Sequence, residues 1–143
     1  NLPEVTAERL LADGWFRTQD IVRSDEQGYI EVVGRIDDRI SCAGESIYPK
    51  EVENVLMEHP NVADVAVVPM PDDTKGEVPV AYVVEKKRGW TGAEELRQYF
   101  FEHGAAYMHP RRVFILEKMP LTGAKKVDRT ALKAMAAEAL AAE

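Results

Sequence analysis

Along the chain the apolar positions switch between a strand-like and a helix-like spacing, and each switch marks an element. In WFRTQDIVRSDEQGYIEVVGR (15–35) aromatic and β-branched residues fall in two runs either side of SDEQG, whose Asp, Gln and Gly suit a turn, so two strands are expected. RISCAGESIY (39–48) has the form of a second, smaller hairpin that turns at Ala43-Gly44-Glu45. The spacing then becomes helical in PKEVENVLMEH (49–59): Val52, Val55, Leu56 and His59 recur at i, i+3, i+4, i+7 and define one buried face. Pro49 fits a first helical position, and Glu51 and Glu53 sit at the positive end of the helix dipole.

NVADVAVVPM (61–70) and EVPVAYVVEKK (77–87) are near-continuous apolar runs, which predicts strands of a sheet covered by helices, joined by the loop PDDTKG. Thr91 with Glu94 three residues on suggests a capping box for a helix whose buried stripe is Leu96, Tyr99, Phe100 and His103. RRVFIL (111–116) is a further strand. Asp128 can cap a last helix on which Leu132, Met135, Ala136 and Leu140 share a face. Residues 1–11 are a polar lead with weak helical character. The order β-α-β-β-α-β-α is that of a small α+β domain: a small antiparallel hairpin, then a roughly three-stranded sheet flanked by helices, preceded by a separate hairpin. The expected division is 1–36 and 37–143. The chain opens at Asn1 with text that reads as mid-protein, so a piece of a longer protein is expected.

Composition narrows the function. With 143 residues and 45% hydrophobic residues, a real core is within reach. A net charge of −7 disfavours nucleic acid as a partner, since phosphate binding needs a concentrated positive face. Cys42 is the sole cysteine, so no internal disulfide can form, which fits a cytoplasmic protein. The longest apolar run, near Val65–Met70, is far short of the ~20 residues of a transmembrane segment. His59, His103 and His109 have no metal-ligand spacing and are expected to be packing or surface residues, with no metal site. Judged by local chemistry alone, Asp20 is an ordinary turn aspartate, GRIDDRI (34–40) is a charged connector, and the pair Lys125-Lys126 is solvated charge. Lys126 does stand before a helix start, where it opposes the dipole.

Four stretches in register change that balance. DGWFRTQD resembles G-W-[FY]-x-T-G-D, GRIDDRISCAGESIYPKEVE resembles G-R-x-D-D-x-I-K-x-x-G-E-x-I-x-P-x-E-V-E, PDDTKGEVPVAYVV resembles a P-D-x-x-x-G-E strand pair, and PRRVFILEKMPLTGAKKVDRTAL resembles a P…P-x-T-x-x-G-K-[VI]-D-R-x-x-L ending. In that order they resemble the C-terminal part of the AMP-forming, adenylate-forming acyl-CoA synthetase superfamily, and ESIYPKEVE looks most like its CoA ligases of fatty and aromatic acids.

The resemblance implies a mobile C-terminal lid at 37–143, with 1–36 the last hairpin of a large AMP-binding domain that is the lid's partner. It implies ATP/AMP, CoA and Mg as cofactors, a small-molecule carboxylic acid as substrate, and no activity from the lid alone. Lys126 would be the catalytic cation of adenylation. Asp20 and Arg35 would bind the nucleotide, Asp37 would be the hinge, and Ala43, Gly44 and Glu45 would form the CoA-side loop after rotation. Three positions depart from the family pattern: Gln19 and Lys125 stand where glycine is usual, and Ser41 where lysine is usual. Two other readings remain: a free-standing, non-catalytic interaction module, and an adenylating domain whose acceptor is a carrier protein.

Overall fold

The structure is a computed structural model and describes residues 3–141. A short helix α1 (Pro3–Arg9) leads into an antiparallel ribbon, β1 (Asp20–Ser24) with β2 (Ile30–Arg35). The lead expected as weakly helical is therefore helical over these residues, while Asn1 and Leu2 lie outside the described residues. The ribbon's turn is built by Asp25, whose carboxylate accepts the main-chain N–H groups of Gln27 and Tyr29, both at 2.9 Å.

A 3₁₀ turn, Ile36–Asp38, carries the chain into β3 (Ile40–Cys42) and β4 (Glu45–Ile47). Then follow α2 (Pro49–Met57), β5 (Val62–Asp72), β6 (Gly76–Glu85), α3 (Ala93–His103), β7 (Arg112–Leu116) and α4 (Arg129–Ala141). The fold is α+β, as expected. The three-stranded sheet is β5-β6-β7: β6 pairs antiparallel with β5 and parallel with β7. The small hairpin joins that sheet instead of standing apart, because β3 pairs with β6 at Cys42↔Gly76, giving five strands with the path β4-β3-β6-β5.

Consecutive residues of a strand point to opposite faces, so unbroken burial means that both faces are covered. Val65–Val68 in β5 and Val78–Val83 in β6 are all buried. Their cover comes from α2 and α4 on β5 and from α3 on β7. Tyr82 and Phe114, cross-strand partners on β6 and β7, stack at 5.2 Å. On α2, Val52 and Leu56 are fully buried and Val55 partly so, and His59, two residues past the helix end, is nearly buried, so the expected face is covered but less evenly than the periodicity predicts. On α4, Leu132 and Ala136 are fully buried while Met135 and Leu140 are more than a third exposed, so the buried stripe is narrower than expected.

Two expectations fail at α3. Its N-cap is Gly92, with no side-chain cap bond, because Thr91 is already committed. The Thr91 hydroxyl accepts the Asn61 amide at 2.9 Å, and its main-chain N–H donates to Glu85 at 2.8 Å. Glu94 instead pairs with Arg97 at 2.8 Å. His103 is exposed, its ring stacked on Tyr99 at 4.1 Å outside the core. PDDTKG is not a long loop: the β5–β6 ladder runs through Asp72↔Gly76 and leaves a tight turn.

Candidate active site

Lys126 stands in a closed hairpin rather than an open loop. An isolated bridge, Leu121↔Val127, forms its base. Thr122 C=O accepts the Lys125 N–H at 2.9 Å, and Thr122 N–H donates to Lys126 C=O at 2.7 Å. This three-residue loop needs a left-handed residue at its last position. Lys125 holds that position, with φ of 58°. The usual glycine would adopt it without strain, so the departure has a conformational meaning. The Lys126 side chain is exposed and carries no hydrogen bond or ion pair among the described residues.

Behind the hairpin the chain turns at once into α4. Asp128 caps it as expected, accepting the Ala131 N–H at 3.0 Å. Arg129 donates to Val67 C=O at 2.6 Å and to Glu53 at 2.7 Å, and the same Glu53 oxygen accepts the Val67 N–H at 2.9 Å. Glu53 is only 6% exposed.

Asp20 and Arg35 are directly opposite each other on β1 and β2 and form an ion pair at 3.2 Å, both partly open to solvent. Gln19, before Asp20, has φ of 67°, so the other usual-glycine position is again a left-handed one. Its C=O accepts the Ile36 N–H at 2.9 Å and carries the ribbon up to the connector. Asp37 lies exposed in that connector, between the ribbon and β3.

The β3–β4 turn has positive φ at both central residues, Ala43 at 50° and Gly44 at 88°, the signature of a type I′ hairpin. The tip is docked: Ala43 N–H donates to Lys75 C=O at 2.8 Å, and Ser41 N–H donates to Glu77 at 2.9 Å. Asp72 shapes the turn that presents Lys75; hydrogen bonds from the Lys75 and Thr74 N–H groups hold its carboxyl below the usual range. Gly44 projects freely, with nothing within 4 Å of a Cβ placed there. Beside the tip opens a cleft of about 440 Å³ whose lining includes Cys42, Lys75, Arg97, Tyr107, His109 and Arg111. His109 is half-buried there, which lowers its pKa, and its Nε2 lies 3.1 Å from Arg97 C=O.

The structure thus brings Asp20 to Arg35, with Asp37 just beyond, and puts Lys126 and Ala43-Gly44-Glu45 on two separate hairpins. Among the described residues no cluster of His, Cys, Asp or Glu could hold a metal ion, and no helix is long and apolar enough to cross a membrane. Sequence reasoning missed Glu53, Arg129 and Glu77 as anchors. A signal existed for the first: Glu53 lies next to Val52 and three residues before Leu56, at the edge of the helix's apolar face, and a carboxylate buried there needs a cation.

The model of the AMP-binding enzyme C-terminal domain matches residues 51–126 and ends on Lys126. The 2-succinylbenzoate–CoA ligase of Listeria monocytogenes is 41% identical over 126 residues, which is 88% of this chain and 27% of that protein. The medium-chain fatty-acid–CoA ligase of Escherichia coli is 38% identical over 133 residues, 92% of this chain and 24% of that protein. Among solved structures, o-succinylbenzoate CoA synthetase from Bacillus subtilis, in complex with its acyl-adenylate intermediate, superposes with a TM-score of 0.81 at 38% identity over 91% of this chain and 26% of that one. The chain spans about a quarter of the length of the relatives it matches. It belongs to the AMP-binding enzyme C-terminal domain family, found at the end of adenylate-forming acyl-CoA ligases.

Proposed function

We propose that this chain is the C-terminal part of an AMP-forming carboxylate–CoA ligase, in which residues 37–143 are a lid and 1–36 the edge of a large AMP-binding domain. The observation that carries the reading is Lys126: the family match runs to it, and its side chain stands exposed and unpaired on an ordered hairpin, directly after the turn. A lysine with no partner of its own is available to a substrate.

In the first half-reaction a carboxylate oxygen attacks the α-phosphorus of ATP, the bond to the bridging oxygen breaks, and pyrophosphate leaves. Two anions must meet, so a cation that reaches both the carboxylate and the charge developing at phosphorus stabilises the transition state selectively. Lys126 has that role. Asp20 accepts from the ribose hydroxyls and Arg35 contacts the ribose or phosphate side, a fit suggested by their pairing at one partly open site. Mg, held through the ATP phosphates and the large domain, supplies charge neutralisation there. In the second half-reaction the CoA sulfur attacks the acyl carbon, AMP leaves with the C–O bonding pair, and the thiol proton passes to solvent. Rotation about Asp37 exchanges the Lys126 hairpin for Ala43-Gly44-Glu45, and Gly44 lets main chain approach the pantetheine arm. The cleft beside it, with Lys75, Arg97 and Arg111, suits the phosphates of CoA. The same reading implies a cytoplasmic location.

The test is made in the full-length protein. Lys126→Ala is expected to lower acid-dependent ATP–pyrophosphate exchange by about 10²-fold or more, while CoA-dependent consumption of supplied acyl-adenylate stays near normal. Normal exchange in that variant would sink the assignment of Lys126. Turnover of ATP by these 143 residues alone would sink the two-domain reading.

A further inference from the structure

The two hairpins hang from the same support, the β5–β6 ladder, and each is tied to it by a carboxylate that the chemistry above leaves unused. β5 is an edge strand, so the Val67 N–H and C=O that point away from β6 have no strand partner. Glu53 accepts that N–H and Arg129 donates to that C=O, while the two side chains bind each other. Arg129 is three residues beyond Lys126, and this fork ties the chain just after the base of the Lys126 hairpin to β5. β3 has a similar gap: it pairs with β6 only at Cys42↔Gly76, and Glu77 fills the next place by accepting the Ser41 N–H. Ser41 and Ala43 are thereby pinned on either side of Cys42, by the Glu77 carboxylate and the Lys75 C=O.

We propose that Glu53 with Arg129, and Glu77, are positioning residues with separate duties: the first pair sets the Lys126 hairpin for adenylation, and Glu77 sets the Ala43-Gly44 hairpin for thioester formation. This rests on the functional reading of the two hairpins given above. The physical argument is that the fork ties Arg129, three residues after Lys126, to β5, whereas Glu77 holds main chain two residues before Ala43; no hydrogen bond of either anchor goes to the other hairpin, although Glu77 and Arg129 line one small cavity. A displacement of about 1 Å at a reacting group can cost on the order of 10²-fold in rate. Removing an anchor should therefore slow one half-reaction and spare the other, whereas general damage to the domain slows both.

The experiment uses the full-length protein and measures the two half-reactions separately, with 2-succinylbenzoate, octanoate and 4-coumarate as trial acids. Arg129→Lys keeps the charge but loses the fork, and Glu53→Gln keeps the oxygen but loses the charge. Each is expected to lower acid-dependent ATP–pyrophosphate exchange by about 10-fold or more, with consumption of acyl-adenylate by CoA within about 2-fold of normal. Glu77→Ala should give the opposite pattern, and Glu77→Gln, which retains an oxygen to accept the Ser41 N–H, should restore most of the thioester rate. Amide hydrogen exchange gives a readout that needs no substrate: the first two variants should loosen peptides covering 120–128 and not 40–46, and Glu77→Ala the reverse. Equal losses in both half-reactions, or exchange that rises equally in both segments, would overturn the proposal. A Lys126→Ala control separates the layers: normal exchange of pyrophosphate there removes the underlying reading, whereas an inactive Lys126→Ala beside a normal Arg129→Lys removes only this inference.

Discussion

The ribbon before Asp37 and the body after it are both built on antiparallel hairpins, yet only one has a core. In the body, Ile40, Ile47, Val52, Leu56, Val67, Val80, Phe100 and Leu132 are fully buried. In the ribbon and its lead, Val33 alone is buried among the described residues, and Trp15 and Tyr29 are 74% and 72% exposed. Turn chemistry at Asp25 and ladder hydrogen bonds define the ribbon's shape, but an isolated two-stranded ribbon is marginal in water. Its contacts with the body are few: Arg23 pairs with Glu51 at 3.5 Å, and Tyr48 lies over Gly34, where a Cβ would meet the ring at 3.1 Å. The difference teaches that the ribbon borrows its stability. The exposed Trp15, Phe16, Ile30 and Val32 are what the proposed large domain would cover.

Core truncation tests this most severely. Leu132→Ala should destabilise the chain by about 3 kcal/mol, within the range for buried leucine. At this chain length that lowers Tm by about 10 °C. Ile30→Ala, on the ribbon, should stay within about 0.5 kcal/mol, as exposed substitutions do. Thermal unfolding of both variants checks it, and equal losses would abolish the distinction. In the full-length protein Ile30→Ala should cost more, at least about 1 kcal/mol, once its surface is covered. An Ile30→Ala cost that does not grow there would mean that the ribbon's apolar face stays in water.

The two regions also differ in how much was legible in advance. The ribbon, the small hairpin and the α2 face follow from period and turn residues, signals that are local in sequence, and so do the Asp128 cap and the positions of β5, β6 and β7. What was not legible depends on distant partners. Thr91 fits a capping box until Asn61, thirty residues away, takes its hydroxyl. Glu53 looks like a dipole-favoured surface residue until Arg129 arrives from a distance of 76 positions. His103 continues the α3 stripe in projection, but it lies in the last turn, beyond the buried stretch that Phe100 closes. Of the candidate site, the pairing of Asp20 with Arg35 is a cross-strand consequence of the ribbon. The closed form of the Lys126 hairpin and its anchors came only with the fold.

The left-handed positions sharpen the comparison at smaller energies. Gln19 and Lys125 both hold positive φ where glycine is unstrained. Relief of that strain is worth about 1 kcal/mol, partly offset by the greater entropy that glycine has in the unfolded chain. Lys125→Gly, in the body, should raise the main unfolding midpoint by a degree or two. Gln19→Gly should leave that midpoint in place and only slow amide exchange in 19–36, because the ribbon lies outside the cooperative core. A Tm that responds equally to both would mean that the ribbon unfolds with the body.

The smallest effect concerns pH, and it separates the regions because all three histidines lie in the body. His109 is held between Arg97 and the rings of Phe100 and Phe101, with Glu94 nearby, and burial lowers its pKa from the ordinary 6.5. The native state therefore disfavours the protonated ring more than the unfolded chain does. Its contribution to stability is whole above the unfolded pKa of about 6.5 and declines as pH falls from there toward the lower folded value. Between pH 7.5 and 5.5 the midpoint of the body should drop, and His109→Gln, which keeps a polar group of similar reach without the titration, should flatten that slope. Amide exchange in 19–36, corrected for its intrinsic pH dependence, should report no such change. A slope unaltered by His109→Gln would show that the drop does not come from this ring.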